Sequence, residues 1–248
     1  MTCDYWNDIA ERYQRETYIS RNDFHYGPMI PGDSQLKLLP ENLDSLKCLE
    51  IACGGAQNSI FLAKNNAECK AFDASKEQIK QAEIIASESK VKLKLEVRKI
   101  EDLADEDDHY DLIHSAYGLN FTSDFPAAIK CCSELLTPSG VLLFSMPHPL
   151  FSGELLELDG LTGLFISDYF HIEPEYRYDD DGREIASSNF YTTDYVSKCL
   201  AANGFLIERI CEPEVCENPP YSSQGWENYR EQLSLFPASI IFKAVKVK

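Results

Sequence analysis

Small residues between two acids form the part of the chain best suited to hold a ribose. Glu50 lies in an apolar run, the small-residue turn 52–56 follows it, and Asp73 ends the next apolar run about 20 residues later. Small residues let the backbone approach a ligand closely, and a helix N-terminus offers unpaired N–H groups. A carboxylate at the end of the second strand can accept both hydroxyls of a ribose. The spacing therefore predicts a cofactor that carries a ribose.

Alternating strands and helices would position these residues. Apolar runs predict strands at 47–51, 68–72, 92–97, 110–116 and 140–145, and amphipathic segments predict helices at 57–65, 75–87 and 125–136. Two later runs, at 205–210 and 239–247, flank a loop and a helix, which favours an antiparallel C-terminal edge strand. The chain is thus predicted to form a doubly wound, Rossmann-like α/β fold with a mostly parallel seven-stranded sheet.

Three segments add to this core. Residues 4–20 carry apolar side chains at helical spacing, which predicts an N-terminal amphipathic helix. Segment 25–33 contains two prolines and two glycines, which predicts a loop, and Asp33 or Ser34 is expected to cap a short helix through Leu39. An Asp-Gly turn between two runs at 176–185 predicts a β-hairpin insertion, with Asp179, Asp180 and Asp181 at its solvated tip.

The additions suggest a division of the chain into four parts. At 248 residues the chain can bury a sizeable core and still carry a lid. We predict an N-terminal helical lid at 1–40, a cofactor-binding core at 41–150, an acidic aromatic lid insertion at 151–192 and the completion of the sheet at 193–248.

Composition narrows the range of partners and compartments. A formal net charge of −18 argues against nucleic acid as a partner, because nucleic-acid affinity comes largely from Lys and Arg. The sequence shows neither a membrane-spanning apolar run nor a signal-peptide pattern, which favours the cytoplasm. The nine cysteines form no C-x-x-C pair and are interpreted as reduced thiols, with no metal site.

These motifs, in this order, resemble those of the class I S-adenosylmethionine-dependent methyltransferases. The family's turn, hydrophobic-acid-hydrophobic-(Gly/Ala)-Cys-Gly-x-Gly, is matched at 49–56, and its strand-two acid is matched by Asp73. The family's Leu-Leu-x-Pro-Gly-Gly turn is matched at 135–140. The Cys-Gly-Gly-x-Gln-Asn turn at 53–58 and the upstream His-Tyr-Gly-Pro at 25–28 resemble a small-molecule subgroup. The resemblance implies S-adenosylmethionine as cofactor, S-adenosylhomocysteine as product and a small-molecule acceptor methylated on N, O or C by a monomer or homodimer.

The same resemblance implies a set of cofactor-binding residues. They are Tyr26, Glu50, Ala52, Cys53, Gly54, Gly55, Asn58, Asp73, Ala74, Gln78, Ile100, Glu101, Ser115 and Ala116. The sequence departs from the family's pattern at two positions. Ala56 replaces the last glycine of the turn, and Lys99 stands where an acid often meets the adenine amine, so Glu101 or Asp102 would serve there with the Ile100 backbone.

Several side chains are candidates for catalysis and acceptor binding. His148 follows the fifth strand at the sheet edge where ligands bind, so its imidazole could take a proton from the acceptor. A loop histidine bonded to backbone is the alternative. Tyr26 and Tyr117 are the next catalytic candidates, and the predicted acceptor-binding residues are His25, Tyr117, Asn120, His148, Tyr169 and Phe170. His114 lies within a strand, which favours packing over catalysis.

Two other functions are compatible with the same fold. A nicotinamide-dependent oxidoreductase or epimerase would normally carry G-x-G-x-x-G, but the aligned positions here are Ala52, Gly54 and Gln57. S-adenosylmethionine has no pyrophosphate, so the incomplete motif suits it better. A protein that binds S-adenosylmethionine without transferring its methyl group is the other alternative.

Overall fold

A seven-stranded sheet forms the centre of the protein in the computed structural model, which describes residues 4–178 and 181–247. Its strands are β2 (Lys47–Ile51), β3 (Glu68–Asp73), β4 (Lys94–Val97), β5 (Tyr110–Ala116), β6 (Leu136–Pro147), β11 (Phe205–Cys211) and β13 (Ser239–Lys246). The strand order is β11-β13-β6-β5-β2-β3-β4, and only the pairs made by β13 are antiparallel. This arrangement confirms the predicted mostly parallel sheet with an antiparallel strand near its C-terminal edge.

Helices cover both faces of this sheet. They are α3 (Gln57–Lys64), α4 (Lys76–Ser89), α5 (Phe125–Leu135) and α6 (Thr193–Ala202), and short 3-10 helices follow β4, β5 and β6. The Ser75 side chain caps α4 by accepting a hydrogen bond from Gln78 N at 3.1 Å, at the first residue of the helix predicted over 75–87. The segment 137–140, predicted as a turn, is part of β6, and the pairing of β6 with β5 shifts register there. Strand β6 therefore begins at Leu136, before the start at 140 that the apolar run predicted.

Two apolar cores lie on opposite faces of the sheet. The first packs α5 and α6 against side chains such as Ile113, Phe144 and Phe242. The second packs loop 24–32 and α3 against Cys48, Leu112, Leu143 and Ile241. Because side chains alternate along a strand, Glu50 and His114 share the face of this second core. The loop-covered face of the sheet therefore holds buried polar side chains among its apolar contacts.

The N-terminal segment differs from its prediction. Helix α1 (Asp4–Glu16) ends four residues early, and β1 (Thr17–Ile19) pairs antiparallel with β12 (Tyr221–Ser223) near the C-terminus. The following helix, α2 (Asp33–Leu36), is also shorter than expected, and its N-cap is Gly32, with no side-chain cap. The Asp33 carboxylate instead accepts hydrogen bonds from Leu38 N and Leu39 N. Pairing with β12 ends α1 before its apolar pattern does, whereas the early end of α2 is accompanied by these local contacts of Asp33.

The insertion after β6 contains two hairpins, not one. The predicted hairpin is formed by β9 (Glu175–Tyr178) and β10 (Glu184–Ser188), and its tip residues Asp179 and Asp180 lie outside the described residues. A second hairpin, β7 (Glu154–Leu158) with β8 (Leu161–Phe165), was missed. Two short helices, α7 (Gln224–Glu227) and α8 (Arg230–Leu233), lie between β12 and β13, where one helix was predicted.

Two further observations concern the state of the cysteines and the length of the helices. The eight cysteines from Cys48 to Cys216 are free thiols, whereas Cys3 lies outside the described residues. Across 4–178 and 181–247, no helix has the length and apolar character that crossing a membrane requires.

Candidate functional site

The turn after β2 leaves an open cradle at the carboxyl edge of the sheet. Ala52, Gly54 and Ala56 all have positive φ angles, of 54°, 52° and 56°. A Cβ added to Gly54 would meet no atom closer than the Gln78 Oε1 at 3.9 Å. Two non-glycine residues in the left-handed region are a form of local strain that often accompanies ligand-binding turns. The space beside Gly54 is where a ligand can meet the backbone.

Asp73 stands beside this cradle with part of its carboxylate free. Its Oδ2 accepts a hydrogen bond from Gly54 N at 2.9 Å, and its Oδ1 accepts one from Ser75 N at 2.8 Å. Burial raises the pKa of Asp73, while these two backbone donors oppose the shift. Each oxygen retains acceptor capacity, because a carboxylate oxygen can accept two hydrogen bonds. The arrangement fixes the carboxylate in a position from which it can bind a diol.

The Glu50 carboxylate contacts the first turn of α3. Its Oε2 accepts hydrogen bonds from Ser59 N at 3.0 Å and from Ser59 Oγ at 2.5 Å. Burial raises its pKa to about 7, although the hydrogen bonds from Ser59 partly oppose this shift. Glu50 therefore anchors α3 to β2, and its predicted contact with the cofactor stays a prediction.

Asn58 anchors the loop that precedes the core. Its Oδ1 accepts a hydrogen bond from His25 N, and its Nδ2 donates one to His25 O, both at 2.9 Å. Asn58 is completely buried. Since both ends of its amide bind the His25 backbone, Asn58 positions loop 24–32. Its predicted contact with the cofactor stays a prediction.

Other predicted cofactor residues form hydrogen bonds that hold the segments around the cradle together. Cys53 N donates to Phe72 O at 2.9 Å, and the Ser115 hydroxyl donates to Ile51 O at 3.0 Å, which holds the ends of the central strands together. Glu101 accepts hydrogen bonds from Ser123 N and Ser123 Oγ, both at 3.0 Å. The remaining members are Gly55 and Gln78 beneath α1, Ala74 after Asp73, Ile100 at the start of the 3-10 helix after β4, and Ala116 at the end of β5.

Helix α1 lies over the glycine turn. Gln14 donates to Gln78 Oε1 at 3.1 Å and accepts from Gln57 Nε2 at 2.7 Å, so it bridges the two helices that flank the turn. A Cβ on Gly55 would come within 2.7 Å of the Gln57 amide and 2.8 Å of the Gln14 amide, so the glycine gives these two side chains room to pack against the turn. The N-terminal addition is thus fastened directly to the part of the site predicted to hold the cofactor.

Loss of the Gln14 bridge is expected to loosen this cover. Gln14→Ala removes both hydrogen bonds, so we expect S-adenosylhomocysteine to dissociate roughly tenfold faster, which corresponds to about 1.4 kcal/mol. Stopped-flow fluorescence measures this rate. Glu11→Ala, an exposed change on the same helix, should leave the rate unchanged, and equal rates in Gln14→Ala and the parent protein would contradict the covering role of α1.

Tyrosines from distant parts of the chain meet above the end of β5. The hydroxyls of Tyr13 in α1 and Tyr221 in β12 are 2.5 Å apart, and the hydroxyls of Tyr117 and Ser239 are also 2.5 Å apart. Burial raises the pKa of the Tyr13, Tyr117 and Tyr221 hydroxyls, so they are neutral. The insertion adds Arg177, whose guanidinium lies 5.5 Å from the centre of the Tyr5 ring. We call this group, Tyr13, Tyr117, Arg177, Tyr221 and Ser239, the tyrosine chamber.

Comparison with known proteins gives the family. The methyltransferase domain family matches residues 25–209, about three quarters of the chain. This chain belongs to that methyltransferase family. An uncharacterized protein of Haemophilus influenzae is 26% identical over 98% of this chain and 96% of its own length. A ubiquinone biosynthesis O-methyltransferase of Xanthomonas campestris is 33% identical over 42% of this chain, and the match spans only 44% of that relative's length.

The fold agrees with this assignment. An S-adenosylmethionine-dependent methyltransferase from Mesorhizobium loti superposes with a TM-score of 0.69 at 19% identity, over 86% of this chain and 95% of that one. The predicted class I methyltransferase family and its fold are confirmed, and S-adenosylmethionine as cofactor agrees with both findings. The nicotinamide alternative is set aside, whereas the Cys-Gly-Gly-x-Gln-Asn subgroup stays a prediction.

His148, the first candidate base of this methyltransferase, is held through both ring nitrogens. Its Nδ1 accepts a hydrogen bond from Leu150 N at 3.0 Å, so Nε2 carries the proton and donates it to Glu212 at 2.9 Å. Burial lowers the pKa of His148 more than Glu212 raises it, which keeps the ring neutral. With no free lone pair in this arrangement, His148 caps the 3-10 helix at Pro149–Ser152. This geometry favours the alternative in which His148 is a structural loop residue.

Three further predicted residues lie away from the cradle. Tyr26 is buried in the second core and donates its hydroxyl to Asp33 Oδ1 at 2.6 Å, so neither its catalytic nor its cofactor-binding role is supported. Phe170 is 81% exposed and packs edge-on against Tyr169, so this pair does not wall an enclosed acceptor pocket. The resemblance had suggested the roles of Tyr26, and aromatic character had suggested those of Tyr169 and Phe170; neither specifies which way a loop side chain points.

Asn120 connects the predicted acceptor region to the insertion. Its Nδ2 donates to Ser188 Oγ at 2.8 Å, and its backbone oxygen accepts from Asn189 N at 2.9 Å. Its Oδ1 is buried without a hydrogen-bond partner. An acceptor atom left free in this position remains available to a bound molecule.

The site also includes residues that the sequence analysis missed. Three of them lie more than 50 residues after the glycine turn: Arg177, Tyr221 and Ser239. The fourth, Gln14, lies in the N-terminal helix, outside the matched motifs. Tyr13 lies in the segment 4–20, for which the sequence predicted only an amphipathic helix. No local pattern marks such residues, because their roles depend on which segments meet in the folded chain.

Proposed function

We propose that this methyltransferase transfers the methyl group of S-adenosylmethionine to a small-molecule acceptor held in the tyrosine chamber. The cradle at Gly54 and the carboxylate of Asp73 carry the proposal, because together they fit a ribose. S-adenosylmethionine, when bound, supplies a methyl group on a sulfonium that leaves as a neutral thioether. The protein's own contribution is then to orient the acceptor and to exclude water.

The cover over the site supports a small acceptor. Helix α1 is fastened to the glycine turn by Gln14, and the Tyr13–Tyr221 contact joins it to the C-terminal part of the chain. Arg177 brings the insertion to Tyr5 on the same helix. The described parts of segments 1–40 and 151–192 therefore meet through Arg177 and Tyr5, which fits the predicted lids. The net charge of −18 likewise disfavours nucleic acid.

Calorimetric titration with S-adenosylhomocysteine and NAD tests the cofactor assignment. We expect binding of S-adenosylhomocysteine and no binding of NAD, because the turn lacks two of the three dinucleotide glycines. Binding of NAD alone would refute the proposal.

Separating an enzyme from a binding protein needs a turnover measurement. Pools of hydroxyl- and amine-bearing metabolites are incubated with S-adenosylmethionine, and formation of S-adenosylhomocysteine is followed. Activity above the rate of the Asp73→Ala variant supports methyl transfer. Tight binding of S-adenosylhomocysteine without turnover in any pool supports the binding-protein alternative.

A further inference from the structure

A row of polar side chains crosses the loop-covered face of the sheet. His114 on β5 is the register partner of Glu50 on β2, and both side chains lie on the face of the second core. Ser145 on β6 pairs with Ala116 on β5 and with Ile241 on β13, which places it on the same face one step closer to the carboxyl edge. Loop 24–32 covers this row. The interior here is polar where the neighbouring positions are apolar.

His25 extends the row from the covering loop. Phe24, its neighbour in the chain, packs edge-on against the His114 ring at 5.1 Å, and the His25 ring is close enough to lower the pKa of His114. On its other side, His25 packs edge-on against Tyr221 at 5.3 Å, and Gly27 lies against the Tyr117 ring. His25 thus stands between the buried row and the tyrosine chamber.

Four polar atoms of His25, His114 and Ser145 lack partners among the described residues. His25 Nδ1, both ring nitrogens of His114 and Ser145 Oγ are buried without a hydrogen bond. Leaving such an atom unpaired costs about 1–3 kcal/mol, so native interiors rarely keep four of them together. Because these unpaired atoms belong to three side chains in one region, they define a site for small polar groups.

Both imidazoles enter this site neutral. Burial lowers the pKa of His25 to about 4, and burial followed by the neighbouring His25 lowers the pKa of His114 to about 3. A neutral imidazole has one donor and one acceptor nitrogen. The two imidazoles therefore offer complementary hydrogen bonds to a hydroxyl or an amine.

We propose that His25, His114 and Ser145 form a buried subsite that binds the nucleophilic hydroxyl or amine of the acceptor, with His25 as the group that receives its proton. The inference rests on the proposed function. In the transfer, the acceptor's lone pair forms the new bond to the methyl carbon, the carbon–sulfur bond breaks with its electrons on sulfur, and the acceptor's proton passes to His25. The positive charge of the sulfonium thus reappears on the imidazolium, so the net charge of the site is conserved. Without an acceptor, water occupies the subsite.

A high-resolution crystal structure of the full chain with S-adenosylhomocysteine tests the subsite without an acceptor. We expect ordered solvent within about 3.2 Å of His25 Nδ1, His114 and Ser145 Oγ. A dry pocket, or rings rotated onto protein partners, overturns the proposal. Failure of S-adenosylhomocysteine to bind would instead refute the proposed function, so the two failures are distinguishable.

Variants test the roles of the two histidines with any metabolite pool that is methylated. His25→Gln should bind S-adenosylhomocysteine normally but lose about 100-fold in turnover. His114 binds the same acceptor group from the strand side, so His114→Gln, which keeps a donor and an acceptor, should retain more activity than His114→Leu. His109→Gln, an exposed change, is the matched control. Full turnover by His25→Gln with a hydroxyl acceptor overturns the proposal, and Ser145→Ala supplies a third variant should His114→Leu not fold.

Discussion

Asp73→Ala is expected to weaken binding of S-adenosylhomocysteine by roughly a hundredfold. The carboxylate is held by Gly54 N and Ser75 N and retains acceptor capacity on both oxygens. Two hydrogen bonds from a ribose to a charged acceptor are together worth about 3 kcal/mol, which gives this factor. The loss also releases Gly54 N, so the cradle itself becomes less well fixed. Isothermal titration calorimetry measures the change.

The chain offers a matched control for this variant. Asp111 is also a strand acid whose carboxylate binds the backbone, through Lys47 N at 3.0 Å, and it lies at the opposite end of the parallel strands. Asp111→Ala should therefore reduce stability without changing the affinity of the folded protein for S-adenosylhomocysteine. Unchanged affinity in Asp73→Ala would refute the ribose role of Asp73.

Glu106→Gln is expected to lower the free energy of unfolding by about 3 kcal/mol, because breaking a buried ion pair leaves its partner charges uncompensated. Glu106 Oε2 lies 2.6 Å from Lys70 Nζ and 2.5 Å from Arg98 Nη1, and Oε1 accepts from the Tyr110 hydroxyl at 3.0 Å. The Glu106 side chain is only 3% exposed. For a chain of this size, such a loss lowers the melting temperature by roughly 6–12 °C.

The same network gives a pH dependence. Burial alone would raise the pKa of Glu106, but hydrogen bonds from Lys70, Arg98 and Tyr110 outweigh it and lower the pKa from 4.5 to about 2. A lowered carboxyl pKa stabilises the fold above pH 4.5, and this contribution disappears as the pH falls toward 2. The difference in stability between the parent protein and Glu106→Gln should therefore shrink below pH 4.5.

Denaturant unfolding at several pH values measures this difference directly. The control is Glu134→Gln, which breaks an exposed pair with Lys130 at 3.8 Å. An exposed pair contributes about 0–1 kcal/mol, so this variant should unfold like the parent. A constant difference between the parent and Glu106→Gln from pH 7 to pH 3.5 would contradict the assigned role of Glu106.

The strands and the cofactor cradle could be predicted because their signals are local. An apolar run of five residues ending in a small-residue turn specifies both the strand β2 and the edge at which it ends, and Asp73 falls at the matching place on β3. Ser75 as the cap of α4 is equally local, since donor and acceptor are three residues apart. The ends of helices were harder to predict where a distant segment pairs with the same residues. Residues 17–19, which the pattern placed in the first helix, pair with β12 instead.

The sequence by itself determined the fold class, the methyltransferase family and the position of the cofactor turn, because alternation and motif spacing are properties of neighbouring residues. Only the tertiary structure decided what the polar side chains do. In the folded chain, Asn58 binds the backbone of loop 24–32, and His148 caps a 3-10 helix. His114, which the sequence suggested is packed, lies in a row of unpaired polar atoms beside His25. A side chain's partners come from segments far away in the chain, and hydrogen-bond satisfaction is a property of that assembled environment.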